Sequence, residues 1–119
     1  MNLAGQSIHV QNETDFENVI REKERVVAFF YAMWCPFCVR FLPAFEKAVA
    51  QNAVPAGGNQ KGGLNFVMVE DVEGLEDNYG VDVVPTVLYF EKGILAKRLD
   101  GVLGVGLNES QLMKFLDSI

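Results

Sequence analysis

The chain reads as a single α/β domain, residues 1–119, with its elements in the order βαβαβ and then ββα. Three observations carry this reading. The run 26–31 is continuously apolar and rich in β-formers, as a strand covered on both faces would be. Runs of helical periodicity alternate with short β-rich runs along the rest of the chain. The pair Cys35-Pro36-Phe37-Cys38 stands where the first kind of run gives way to the second, at a strand-to-helix junction.

Ser7-Ile8-His9-Val10 reads as a short first strand. Thr14-Asp15-Phe16-Glu17 then has the form of a capping box, with Thr14 as the cap and Glu17 reaching back. Phe16, Val19 and Ile20 follow at i, i+3, i+4 and give the first helix its apolar stripe. After the strand 26–31 a second helix begins at the cysteines, because Pro36 fits the first helical position, where a missing N–H is harmless. Phe41, Phe45, Ala48 and Val49 mark its buried face, with Val39 and Leu42 beside it, and Pro43 is expected to kink it. The stretch from Ala53 to Gly63, carrying Pro55 and four glycines, reads as a surface loop.

Phe66 to Val69 forms a third strand and Leu75 to Tyr79 a short helix ended by Gly80. Val83 to Phe90 leads into a fourth strand, and Glu91-Lys92-Gly93 turns it into a fifth, Ile94 to Leu99. Asn108-Glu109-Ser110-Gln111 caps a last helix, with Leu112, Phe115, Leu116 and Ile119 on one face.

A chain of 119 residues can bury roughly two thirds of its unfolded surface. Its 50% hydrophobic and 22% charged residues are those of a globular domain. No apolar run approaches the ~20 residues of a membrane span. Met1 to Gly5 lacks the basic and apolar segments of a signal peptide, so a cytoplasmic location is expected, or export if a signal has been removed. The net charge of −6 speaks against nucleic acid, which needs a basic face. Glu70, Asp71, Glu73, Glu76, Asp77 and Asp82 share a window without Lys or Arg, read as a solvated face that could also steer basic partners.

Two cysteines and one distant histidine, His9, cannot fill a tetrahedral zinc site alone, and no metal or other cofactor is expected. A C-x-x-C beside a βαβ pattern marks thiol–disulfide exchange instead. Cys35 at a helix start faces unpaired amides and the positive end of the helix dipole, which favour negative charge on its sulfur. Cys38, one turn on and on the same side, can then displace whatever Cys35 has captured.

These features resemble the thioredoxin family over nearly the whole chain. The anchors are Trp34-Cys35-x-x-Cys38, Pro43, Tyr79-Gly80-Val81, Val84-Pro85-Thr86, Gly93 in the hairpin and Gly101 after the fifth strand. The resemblance implies the thioredoxin fold, a central mixed sheet of about five strands flanked by about four helices. It implies that Cys35 is the exposed attacking thiol, Cys38 the buried resolving one, and Pro85 cis. Substrate would pair with the backbone at Val84, in a groove completed by Trp34, Pro36, Phe37, Pro85 and Gly101. The implied activity is reduction of disulfide-containing proteins by a monomer recharged by a thioredoxin-reductase-like donor. Its potential is expected between about −270 and −180 mV.

Three departures stand against the family pattern. Phe29 occupies the position of a buried Asp, the third strand has no partner Lys, and Pro36-Phe37 replaces Gly-Pro. A proline–aromatic pair there is a glutaredoxin trait, yet the glycine pair that serves glutathione in that family has no counterpart here. Other readings stay open: an oxidase or isomerase on the same fold, a redox-inert binding module, and an iron–sulfur cluster shared by two chains. Phe29, Tyr31, Tyr79 and His9 are read as packing residues, and Pro85 could be an ordinary strand-edge proline.

Overall fold

A computed structural model of the protein describes residues 7–52 and 64–119. Its strands are β1 (Ser7–Val10), β2 (Arg25–Tyr31), β3 (Asn65–Glu70), β4 (Thr86–Glu91) and β5 (Ile94–Asp100). Its helices are α1 (Glu13–Glu22), α2 (Pro36–Asn52), α3 (Glu73–Asn78) and α4 (Glu109–Asp117). The strands form one sheet in the order β1-β3-β2-β4-β5. β1, β3 and β2 run parallel, while β4 is antiparallel to both β2 and β5. This is the mixed five-stranded sheet with four helices that the sequence leads one to expect. The loop from Ala53 to Gly63 lies outside the described residues.

The continuous apolar run of β2 has a simple cause. Side chains alternate across a sheet, and here both faces are covered. Val27, Phe29 and Tyr31 enter the core beneath α2 and α4, among Phe41, Phe45, Phe66 and Leu112. Val26, Ala28 and Phe30 enter the other core, with Phe16, Ile20, Leu75 and Phe90. The rings interlock: Phe29 meets Phe41 edge-on at 5.5 Å, and Phe16 meets Phe90 in the same way at 5.4 Å.

One cap lies elsewhere than the sequence reading puts it. α1 is capped by Asn12, whose side chain accepts from the Asp15 amide at 2.8 Å, and Thr14 lies inside the helix. Asn serves this position at least as well as Thr, and the earlier start brings Glu13 as well as Asp15 into the first turn, where negative charge opposes the positive helix end. α4 has the expected capping box, with Asn108 accepting from the Gln111 amide and Gln111 accepting from the Asn108 amide. In the β4–β5 hairpin Lys92 and Gly93 both take positive φ, 53° and 82°, the pattern of a two-residue turn that suits the sheet's twist. α2 continues through Pro43.

This frame brings together three chain segments that are far apart in sequence. The end of β2 runs directly into the start of α2, placing Trp34 and the two cysteines at one end of the sheet. The loop between α3 and β4 ends beside them at Pro85. The segment after β5 crosses the same end at Gly101.

Candidate active site

Pro36 opens α2, so Cys35 occupies the residue just before it. The Cys35 carbonyl accepts from the amides of Cys38 and Val39, both at 3.1 Å, and so starts the helical ladder. Cys35 and Cys38 are free thiols. Cys38 is fully buried, and its sulfur accepts from the Ala32 amide at 3.5 Å. Burial pushes the Cys38 thiol up to about 12, against the Ala32 amide, which favours its thiolate. The neighbouring Cys35 thiol and the charge of Glu76 act in the same direction as burial.

The expectation of an openly exposed Cys35 needs correction. Only 7% of this residue is exposed. The start of α2 and the loop before β4 close over it, and its sulfur lies 3.7 Å from the Val84 carbonyl, to which the thiol donates. What remains open faces a cleft of about 320 Å³. Trp34, Cys35 and Pro36-Phe37 form one wall of it, the segment from Asp82 to Val84 a second, and that from Val102 to Gly104 a third.

Each predicted groove residue can be placed. Trp34 is 71% exposed, and its indole N–H donates to an Asp71 carboxylate oxygen at 3.3 Å. Asp71 sits at φ 54°, turning the chain off β3 toward the tryptophan, while its amide donates to the Tyr31 carbonyl at 2.8 Å. Phe37 is half-buried, with the Arg40 guanidinium 5.0 Å above its ring. The Val84–Pro85 bond is cis, as the family resemblance implies. Pro85 is buried and does not line the cleft itself. Gly101 stands behind it: a Cβ there would overlap the Pro85 carbonyl oxygen, so only glycine lets the two segments approach this closely.

Thr86 locks that approach. Its hydroxyl donates to the Val83 carbonyl at 2.6 Å and accepts from the Gly101 amide at 3.3 Å, which satisfies a polar group otherwise shut in the core.

Sequence reasoning missed the third wall and the acidic residue of the second. The Gly101–Leu107 segment is folded back on itself: Val102 and Gly106 pair as an isolated bridge, with the Gly106 amide donating to the Val102 carbonyl at 2.8 Å. Gly104 and Gly106 take φ of 79° and 81°, and a Cβ on Gly106 would come within 2.9 Å of Phe37. Gly101, Gly104 and Gly106 are visible in the sequence, but glycines alone do not foretell this pairing. The acid that the family carries beneath the cysteines has no substitute at that position: Phe29 is wholly buried there, stacked on Tyr31 at 4.8 Å.

A family model described as thioredoxin matches residues 7–118. The chain belongs to the thioredoxin family. Its C-x-x-C pair, Cys35 and Cys38, stands at the place just described, at the start of α2. Over 87 residues the chain is 37% identical to protein disulfide-isomerase A5 of Bos taurus, covering 72% of this chain and 16% of that one. It thus spans about 16% of the length of that isomerase. With a thioredoxin of Mycoplasmoides gallisepticum it shares 29% identity over 97 residues, 80% of this chain and 88% of the other. Among solved structures, mitochondrial thioredoxin 3 of Saccharomyces cerevisiae superposes with a TM-score of 0.77 at 21% identity, covering 99% of this chain and all of its own. That likeness establishes the fold.

Proposed function

We propose that the protein reduces disulfides of other proteins through a dithiol–disulfide cycle at Cys35 and Cys38. The observation that carries this is the asymmetry of the two sulfurs: one opens on the cleft beside the Val84 carbonyl, while the other is sealed directly behind it. Cys35, as thiolate, attacks a substrate disulfide. One S–S bond breaks, a mixed disulfide forms, and the departing substrate sulfur takes up a proton. Cys38 then gives up its proton, attacks the Cys35 sulfur and releases the second substrate thiol. The substrate gains two electrons and the protein leaves the cycle with a Cys35–Cys38 disulfide. A thioredoxin-reductase-like donor restores the dithiol.

Substrate backbone fits along the second wall, where Val84 offers main-chain groups to an extended segment. The match over most of a bacterial thioredoxin's length supports the reducing direction. Similarity to segments of disulfide isomerases supports a second reading, an isomerase, as does the high pKa of Cys38, since slow resolution prolongs the mixed disulfide. Equilibration with a glutathione buffer separates the two. A potential nearer about −270 mV supports the reductase and one nearer about −180 mV the isomerase. In the insulin-reduction assay with dithiothreitol, a rate no higher than background would overturn both.

A further inference from the structure

The cleft over Cys35 has walls of different chemistry, and this bears on what it accepts. The third wall is an exposed apolar lip. Leu103 is 83% exposed, with Val102 and Val105 also open to water, yet the segment is held by the Val102–Gly106 bridge and by Gly106 seated on Phe37. Large apolar side chains fixed in solvent mark a contact surface, since nothing among the described residues covers them.

The second wall is acidic. Asp82 lines the cleft directly, and the Asp71 carboxylate is tied to Trp34 on its rim. Behind them, Glu76 is pushed up by partial burial and then by the charges of Asp71, Glu73 and Asp77, so these carboxylates act as one field. Arg98 feels the charge of Asp82, but its ion pair is with Asp100. It is clamped to Asp100 at 2.8 Å and donates to the carbonyls of Tyr79 and Gly80, both at 3.0 Å.

We propose that this cleft selects extended disulfide-bearing polypeptide segments with a bulky apolar side chain beside the cysteine, seated under Leu103, and a Lys or Arg on the flank facing Asp82 and Asp71. The selection rests on the oxidoreductase reading above and deepens it. Charge complementarity of this kind acts mainly on encounter rate, and an acidic segment meets repulsion at the same wall.

The test uses the full chain and short peptides whose single cysteine is joined to mercaptoethanol, with Leu-Lys, Ser-Lys or Leu-Glu flanks. Neutral hydroxyethyl disulfide serves as the reference substrate. At low salt the Leu-Lys peptide should be reduced about tenfold faster than Leu-Glu, and the gap should narrow as ionic strength passes about 0.1 M, where the Debye length is about 10 Å. Asp82→Asn should shrink the Lys-over-Glu ratio, and Leu103→Ser the Leu-over-Ser ratio, each read as a ratio within one protein. If the protein reduces hydroxyethyl disulfide but treats Lys and Glu peptides alike, or if neither ratio moves in its variant, this selection is overturned while the oxidoreductase stands. If even hydroxyethyl disulfide is not reduced, both fall.

Discussion

The Cys38 sulfur accepts a hydrogen bond from the Ala32 amide at 3.5 Å, from the turn that joins β2 to the motif. That amide favours the Cys38 thiolate, but burial outweighs it, leaving the thiol at about 12. Near neutrality very little of Cys38 is ionised, so the second displacement should limit the cycle. Cys38→Ser should accumulate a stable mixed disulfide, visible as a mass adduct, whereas Cys35→Ser should form none. In the wild-type protein the mixed-disulfide lifetime should shorten steadily as pH rises from 7 to 10. A lifetime flat across that range would place the proton transfer elsewhere.

The same shift has a consequence for stability. Cys38 moves from 9.0 unfolded to about 12 folded, and Tyr31 from 10.0 to about 12 by burial and by Glu70. Between those values the unfolded chain has released protons that the folded one still holds. The reduced protein is therefore at full strength below pH 9 and loses stability as pH climbs toward 12. Denaturant melts from pH 8 to 11 should show this decline, and Cys38→Ser should make it shallower by removing one of the two groups.

The contact of Gly101 with Pro85 gives a third expectation. Gly101→Ala puts a methyl group where the Pro85 carbonyl oxygen lies, so the two segments must part. The cost should be about 1–3 kcal/mol, and reduction rate should fall with it because Val84 moves with Pro85. Thr86→Val keeps the shape but removes the hydroxyl that joins Val83 to Gly101, at about 1–3 kcal/mol for the groups left unsatisfied. Urea melts and insulin turnover on the two variants check this. Full stability in Thr86→Val would show that the bridge is dispensable.

Much of this was legible in the sequence because the signals are local. An apolar run that fills both faces of β2, Pro36 at a helix start and the Asn108–Gln111 box each fix their own element. Cys35, Cys38, Trp34 and the Val84-Pro85-Thr86 segment stand out in the sequence because motif and resemblance coincide on them, and the fold brings them to one end of the sheet. The cap of α1 was misplaced since Asn12 and Thr14 are both good caps only two residues apart. The degree to which Cys35 is covered depends on the loop before β4, which reaches it at Val84, 49 residues away, and no local pattern records this. The lip is the same case: Gly101, Gly104 and Gly106 stand in the sequence as glycines only, but they allow a folded-back segment that pairs with itself and rests on Phe37.

Phe29 yields the last prediction. The family's acid at this position is expected to take the resolving thiol's proton, so restoring it by Phe29→Asp is the obvious experiment. The surroundings oppose it. Phe29 is fully buried, stacked on Tyr31 at 4.8 Å and packed against Phe41 and Phe45 at 5.5 and 4.5 Å. Removing such a ring costs about 3–5 kcal/mol before any charge is considered. A carboxylate among those rings also loses its hydration, so it would stay protonated and accept nothing from Cys38 at neutral pH. Phe29→Asp should therefore unfold at lower urea than wild type without shortening the mixed-disulfide lifetime, while Phe29→Leu should lose less stability and leave that lifetime unchanged. Faster resolution in a folded Phe29→Asp protein would show that this aromatic core has room for the acid after all.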